Sequence, residues 1–353
     1  MSDIAKIDKN FEVGKTIEKE GIRFYDSLSA PFVISGLMYA EGKFFRMTPS
    51  VAETVSDGVR RLNYHTAGGR IRFRTNSPYV AISVQYNDVG KMPHFAYSGS
   101  VGFDLYADNS YVNTFMPDVG TSDTLESIIN VGAADTVREI VINFPLYSCV
   151  KSVFVGLDEN ASVEAPTPYI NEKPVVYYGS SITQGGCASR PGTCYQGYVT
   201  REFNLDYVNL GFSGNAKAED TMIEYVKGLD MSMLVYDYDH NAPNVKHLEE
   251  THEKMFREIR AAHPRMPIIM MSRPKAKRTA DEERRMEIVK NTYARAKSQG
   301  DREVYFLDGD ELTALCGNEG TVDNCHPTDY GFASMAKALI DLIKTADIIK
   351  KLK

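Results

Sequence analysis

Apolar and polar residues alternate through the first half of the chain. In residues 71–75 Ile71 and Phe73 share one face, and in residues 80–86 Val80, Ile82, Val84 and Tyr86 do the same. A period of two predicts half-buried strands. Residues 102–106 and 111–115 flank Ala107-Asp108-Asn109-Ser110, whose composition predicts a hairpin connection. Ile140, Ile142 and Phe144 line one side of the next segment, and residues 153–157 follow. Short strands at this spacing, without long helical patterns between them, predict an all-β sandwich over residues 1–165.

The pattern then changes. Pro166, Pro168 and Pro174 punctuate a stretch with few apolar runs, predicted as a linker over 166–174. Beyond it, short apolar runs at 175–178, 206–210, 233–238, 268–272 and 304–307 alternate with amphipathic segments near 197–204, 218–228, 245–262, 280–297 and 329–345. Such alternation predicts an α/β fold over 175–353, a parallel sheet with helices on both faces.

Composition narrows the choice of partner. The 353 residues carry a net charge of −7, with 43% hydrophobic and 25% charged residues. No basic block occurs outside the short Lys-rich tail, which argues against nucleic acid and anionic membrane as partners. Residues 1–13 are polar and lack an apolar signal core, so the expected location is cytoplasmic, or the chain is already trimmed. No run of 18 apolar residues exists to span a membrane. Five scattered cysteines without a Cys-x-x-Cys pair are expected as reduced thiols, a Cys187–Cys194 bridge being the alternative.

Candidate chemistry gathers where the predicted parallel strands end, since ligands of open α/β sheets bind at their carboxyl edge. Gly179-Ser180-Ser181 ends the first of them. A serine needs a base to act as nucleophile, and Asp323-Asn324-Cys325-His326 offers one. Three residues apart at the start of a predicted helix, Asp323 would fix the tautomer of His326. The bland alternative is a cap beside a surface histidine. The serines could equally cap a helix; the Gly-x-Ser-x-Gly elbow is incomplete, and the phosphate-loop pattern is absent. Gly211-Phe212-Ser213-Gly214 ends the second strand and exposes backbone N–H groups, while Asn241, after the third, could offer a side-chain N–H to an oxyanion. Asp237, Asp239, His240 and Asn241 also have the look of a metal cluster, without the glycine and distal Glu of a calcium loop. His247 and His252, five apart, share no helix face.

Gly179-Ser180-Ser181-Ile182-Thr183, Gly211-x-x-Gly214, Asn241 and Asp323-x-x-His326 occur in the order of the four sequence blocks of SGNH (GDSL-type) hydrolases, which residues 174–345 resemble. Gly102-Phe103-Asp104-Leu105-Tyr106 resembles the amino-terminal, jelly-roll-like domain of a two-domain subgroup that includes carbohydrate esterases. The resemblance implies a flavodoxin-like parallel sheet. It implies Ser181 as nucleophile, His326 as general base and Asp323 as its orienting partner. Oxyanion donors would be the N–H groups of Ser181 and Gly214 and the side chain of Asn241. Two departures stand out: Ser180 replaces the usual Asp before the nucleophile, and Asp237-x-x-x-Asn241 replaces the usual Gly-x-Asn-Asp block, leaving Asp239 as the reserve for Asn241.

The function so implied is hydrolysis of a short-chain ester, acetyl first, on a carbohydrate, through an acyl-enzyme and with neither metal nor organic cofactor. Tyr178, Tyr195, Tyr198 and Phe212 would stack on the sugar unless they belong to the core. Loop 85–94, ending in His94, would reach over Ser181, unless the β domain only buries apolar surface. A non-catalytic carbohydrate-binding protein with a degenerate site and an acyltransferase using the same triad are the alternatives; the acceptor, ester position and oligomeric state are open.

Overall fold

The computed structural model describes residue 17 and residues 19–352. The alternating segments pair into two antiparallel sheets. One holds Ile22–Asp26, Cys149–Asp158, Tyr79–Asp88 and Thr124–Asn130. The other runs Val163–Glu164, Arg70–Thr75, Arg138–Asn143, Phe103–Ala107 and Ser110–Phe115, with Val33–Ser35 added on Arg70–Thr75. Ile71, Phe73, Val80, Ile82, Val84, Ile140, Ile142 and Phe144 meet in one buried cluster between them. Asp108 and Asn109 both take positive φ, 48° and 63°, the two-residue turn that suits the strand twist of a tight hairpin.

Five strands form the parallel sheet, in the order Tyr207–Gly211, Val175–Gly179, Met233–Asp237, Ile268–Met271, Val304–Leu307. This is the flavodoxin-like order 2-1-3-4-5, whose ligand crevice lies at the carboxyl end of the first strand, where the strand order reverses. Alternate residues of Val175–Gly179 serve opposite faces. Val176 and Tyr178 pack under the helices Asp220–Lys227, Val245–Ala262 and Ala280–Ser298, whereas Val175 and Tyr177 pack with Tyr195–Phe203 and Asp329–Thr345.

Two helices that the sequence pattern did not reveal, Pro49–Val55 and Asp57–Leu62, belong by packing to the second half. Their Ala52, Val59 and Leu62 share a core with Phe212, Met222 and Val226. Just before them, Arg46 is buried, and its guanidinium donates to the carbonyls of Asn209, Gly211 and Leu62. Burial depresses its pKa to about 9. A second tie comes from the Gly-x-Asp-Leu-Tyr motif. Asp104, fully buried in the sandwich, accepts from the Gly192 amide at 2.8 Å, Arg190 Nη1 at 3.0 Å and Asn143 Nδ2 at 2.8 Å. The stretch 165–174 between the two halves is irregular but docked, with Tyr169 lying against Arg72, 3.6 Å from ring centroid to guanidinium carbon.

No helix among the described residues is long and apolar enough to cross a membrane. All five cysteines are free, so the alternative Cys187–Cys194 bridge is not formed.

Candidate active site

The crevice predicted by the strand order holds Ser181. Strand Val175–Gly179 ends at a glycine because Asp237, on the neighbouring strand, approaches so closely that a Cβ at Gly179 would lie 1.7 Å from its Oδ1. Ser180 is N-cap of the single-turn helix Ser181–Gln184, its Oγ accepting from Ile182 N at 3.1 Å. The serine that replaces the usual aspartate is thus a fully buried cap. Ser181, the next residue, turns its hydroxyl outward, with Oγ 3.0 Å from His326 Nε2.

His326 is held from its other side. Its Nδ1 lies 2.7 Å from Asp323 Oδ2, and its own amide donates to Asp323 Oδ1 at 2.7 Å, as does Cys325 N at 3.0 Å. A carboxylate only accepts, so Nδ1 carries the proton and Nε2 turns a lone pair to the serine. Burial works to raise the Asp323 carboxyl; these hydrogen bonds and the nearby imidazole outweigh it and hold the group below the ordinary carboxylate range. The pair does not sit on the first turn of a helix, as the spacing suggested. The segment folds back on itself, with Thr321 bridging Pro327 and Asn324 at φ +63°, and the helix begins only at Asp329. Asp323 ties this turn together by accepting from the backbone amides of Cys325 and His326.

Gly214 and Asn241, predicted as oxyanion donors, lie on loops linked to each other and to the turn of Ser181. Gly214 is exposed, at φ +68°, a region that L side chains rarely adopt. Among the described residues its N–H has no hydrogen-bond acceptor. Asn241 Oδ1 accepts from Ala216 N at 3.4 Å. A backbone amide can only donate, so this contact fixes the amide plane and leaves Nδ2 as the outward group. Asp239, the reserve for Asn241, is committed elsewhere: Oδ2 accepts from Arg273 N at 3.0 Å and Oδ1 from His240 N at 2.9 Å. Burial would raise its pKa, but these bonds and the His240 ring hold it low. A buried carboxylate repels an oxyanion rather than binding it.

The neighbouring residues suspected of binding metal disperse. Asp237 goes beneath the turn and accepts from Thr183 Oγ1, and burial pushes its carboxyl up to about 8. The His240 ring pairs with Asp239. Two other groups among the described residues bring ligand atoms within 4.8 Å of one another: His94, Cys187 and His326, and Asp323, Cys325 and His326. Tyr178, Tyr195 and Phe212, considered for sugar stacking, are 0–1% exposed core residues. His252 is also core, stacked on Tyr236 and Tyr238.

Several supporting residues were not foreseen. Gln184 uses its whole amide: Nε2 donates to His65 Nδ1 at 2.9 Å and Leu146 O at 3.2 Å, and Oε1 accepts from Ser213 N at 3.1 Å. It therefore pins the loop bearing Gly214 to the turn bearing Ser181. Burial, aided by Arg46 and Arg61, pushes His65 down to about 3, so its ring is neutral and can accept at Nδ1. Tyr147 Oη donates to the Ser181 carbonyl at 3.3 Å. His65, Leu146 and Tyr147 all precede residue 165. So does His94, at the end of loop 85–94, whose ring centroid is 5.7 Å from that of His326. Gln184 stood inside the motif stretch, but nothing local marks His65 or Tyr147.

Residues 172–344 match the model of the GDSL-like lipase/acylhydrolase family, and residues 22–163 match that of the GxDLY family, the N-terminus of SGNH hydrolase-type esterases. The chain belongs to the GDSL/SGNH hydrolase family. This GDSL hydrolase is an ester hydrolase whose first half matches the N-terminus of that esterase type. Among solved structures it is similar to a candidate GDSL-like lipase from Bacteroides ovatus, with 26% identity and a TM-score of 0.80 over 94% of this chain and 99% of that one. The salicylyl-acyltransferase SsfX3 of a tetracycline biosynthetic pathway aligns at 19% identity and TM-score 0.75, covering 95% and 100%. A family two carbohydrate esterase from Clostridium thermocellum, solved in complex with cellohexaose, aligns at 14% and 0.62, covering 89% and 98%. No curated protein sequence matches the chain.

Proposed function

We propose that this GDSL hydrolase removes a short acyl group, acetyl first, from a carbohydrate ester, with Ser181, His326 and Asp323 as catalytic triad. The observation that carries the reading is the unbroken relay of 3.0 Å from Ser181 Oγ to His326 Nε2 and 2.7 Å from His326 Nδ1 to Asp323 Oδ2. Ser181 Oγ attacks the ester carbonyl while His326 takes its proton, and Asp323 stabilises the imidazolium so formed. The carbonyl oxygen, now anionic, is received by the N–H groups of Ser181 and Gly214 and by Asn241 Nδ2. Such donors act mainly on the transition state, being aimed where charge develops. His326 returns the proton to the departing alcohol, leaving an acyl-enzyme, and then activates a water that releases the acid. No step requires a metal or cofactor.

A sugar as the alcohol is supported by the polar mouth of the site, where His94 and Gly214 are exposed and Ser213 and Asn215 half-buried. It is supported also by sharing an architecture with an esterase solved with cellohexaose. The test is to add the protein to acetylated xylo-, gluco- and manno-oligosaccharides and follow free acetate by NMR. Acetate release from one of them, absent with Ser181→Ala, is expected. Turnover of a small aryl acetate but of none of the sugars would overturn the carbohydrate part.

The structural likeness to an acyltransferase favours one second reading, in which a hydroxyl of another molecule replaces water on the same acyl-enzyme. In that case supplying an acceptor sugar would divert acetate into a new ester at the expense of free acid.

A further inference from the structure

A second opening lies at the far end of the molecule's central sheet. It is a cavity of about 300 Å³ between the sandwich and helix Tyr195–Phe203, at the lower end of the 300–1,000 Å³ typical of ligand pockets. Tyr207, in its wall, pairs with Val175, the first residue of the strand that leads to Ser181. The cavity is therefore roughly 13 Å from the triad's strand end, at about 3.3 Å per residue, and on the opposite edge of the sheet.

Its wall alternates arginine with tyrosine. Arg70 lies 4.0 Å from the Tyr207 ring centroid, Arg72 3.6 Å from that of Tyr169 and Arg201 4.4 Å from that of Tyr106. The first two are largely engaged, although Arg72 Nε is buried without an acceptor among the described residues. Arg70 pairs with Asp206 and donates to Gly68 O and Tyr207 O. Arg72 donates to Thr167 O and stands 3.8 Å from Glu139. The two acids in the wall are engaged as well: Glu139 accepts from Thr167 N and faces Arg72 and Arg74, and Asp108 accepts from Glu139 N. Arg201 differs. Among the described residues it has no ion-pair partner and no hydrogen-bond acceptor, yet its guanidinium carbon lies 4.4 Å from the Tyr106 ring centroid and 5.0 Å from that of Tyr198.

A guanidinium fixed by aromatic rings, with its donors unspent and inside a cavity, is a receptor for a planar oxyanion, because its N–H fork matches a carboxylate bidentately. Thr200 and Asn109 supply hydroxyl and amide groups along the same wall, and Asn204, whose Nδ2 donates to Pro168 O, adds its amide oxygen. We propose that this cavity is a second binding site, for a carboxylate carried on a monosaccharide-sized polyol, with Arg201 as the carboxylate receptor.

The test uses the full chain and D-glucuronate as probe, followed by calorimetry and by ligand-observed NMR. Saturable binding is expected, at least about tenfold tighter than for glucose, which lacks the charge-assisted pair worth about that factor or more, and tighter than for acetate, which makes that pair but lacks the polyol contacts. Arg201→Gln should lose at least about tenfold in affinity. Thr200→Phe, which fills the cavity without touching the charge, should abolish binding; each variant is checked for an unchanged far-UV spectrum and cooperative melting. Ser181→Ala should bind glucuronate as wild type does, whatever becomes of the triad assignment. Absence of saturable binding, a folded Arg201→Gln or Thr200→Phe that binds like wild type, or acetate binding as tightly as glucuronate would each overturn the proposal.

Discussion

Ser181 offers one hydroxyl to one imidazole nitrogen, and the sharpest expectations follow from removing single groups around that contact. Ser181→Ala deletes the nucleophile of the proposed reaction without disturbing the cap at Ser180, so turnover should fall by roughly 10⁴–10⁶ with the melting curve unchanged. A variant keeping a tenth of wild-type kcat would dismiss the assignment. Asn241→Ala should lower kcat by about 10²–10³ with little change in KM, the mark of a group acting on the transition state. Asp239→Ala should act differently, lowering thermal stability by freeing the half-buried Arg273 amide that the carboxylate holds. Reversal of the two phenotypes, in steady-state kinetics and melting, would move the oxyanion role to position 239.

At the scale of elements, Gln184 joins three pieces: the turn of Ser181, the loop of Gly214 and His65 and Leu146 of the first half. Gln184→Ala leaves Ser213 N without its acceptor and lets the Gly214 loop drift, so kcat should fall by about 10–10²-fold. The Ser181–His326 contact, read by the rate of inactivation with an organophosphonate, should be far less affected. Equal loss in both readouts would mean that the whole turn has collapsed. What the sequence made legible follows the same division. Strand Tyr79–Asp88 could be read because one face meets the sandwich core, and Val175–Gly179 because both faces are covered. Strand Thr124–Asn130 could not: it is an edge strand in which Leu125 and Ile129 are buried while Ile128 is exposed, and the alternation breaks. Helices Pro49–Val55 and Asp57–Leu62 are too short to show a period, and their apolar residues answer to partners about 150 positions later. The residues proposed as a triad could be picked out because their types occur in a fixed order, with Ser181 just past the end of strand Val175–Gly179. Gln184, His65 and Tyr147 could not, because their roles exist only through contacts made across the whole chain, and the Asp323–His326 turn looks helical when judged by spacing alone.

For the molecule as a whole, Asp237 sets a pH dependence. Its carboxyl is buried beneath the Ser181 turn with a pKa pushed up to about 8, first by burial and then by the charge of Asp239, against the Thr183 hydrogen bond. From roughly pH 4 to pH 8 the native state keeps a proton that the unfolded chain, near the ordinary value of about 3.9, has released. Stability is thus undiminished by this group below about pH 4 and is lost progressively as pH rises to 8. Asp237→Asn removes the titration at nearly constant shape, so the difference in Tm between variant and wild type should grow in the variant's favour between roughly pH 5 and pH 8. A difference independent of pH would refute the shift. The other whole-molecule feature is the insertion of residues 46–62 into a core whose other members begin only at Val176 and include Leu210, Phe212 and Met222 to Met231. During synthesis the early segment leaves the ribosome first, with Met47, Val59 and Leu62 bare. At 5–20 residues per second it waits on the order of ten seconds for its partners. The nascent chain should therefore offer a chaperone-binding stretch in the middle of an otherwise closing sandwich. Ribosome-bound chains halted near residue 200 should be cut by protease between 46 and 62, and chains released at full length should resist; equal resistance in both would show that the segment finds shelter before its permanent partners exist.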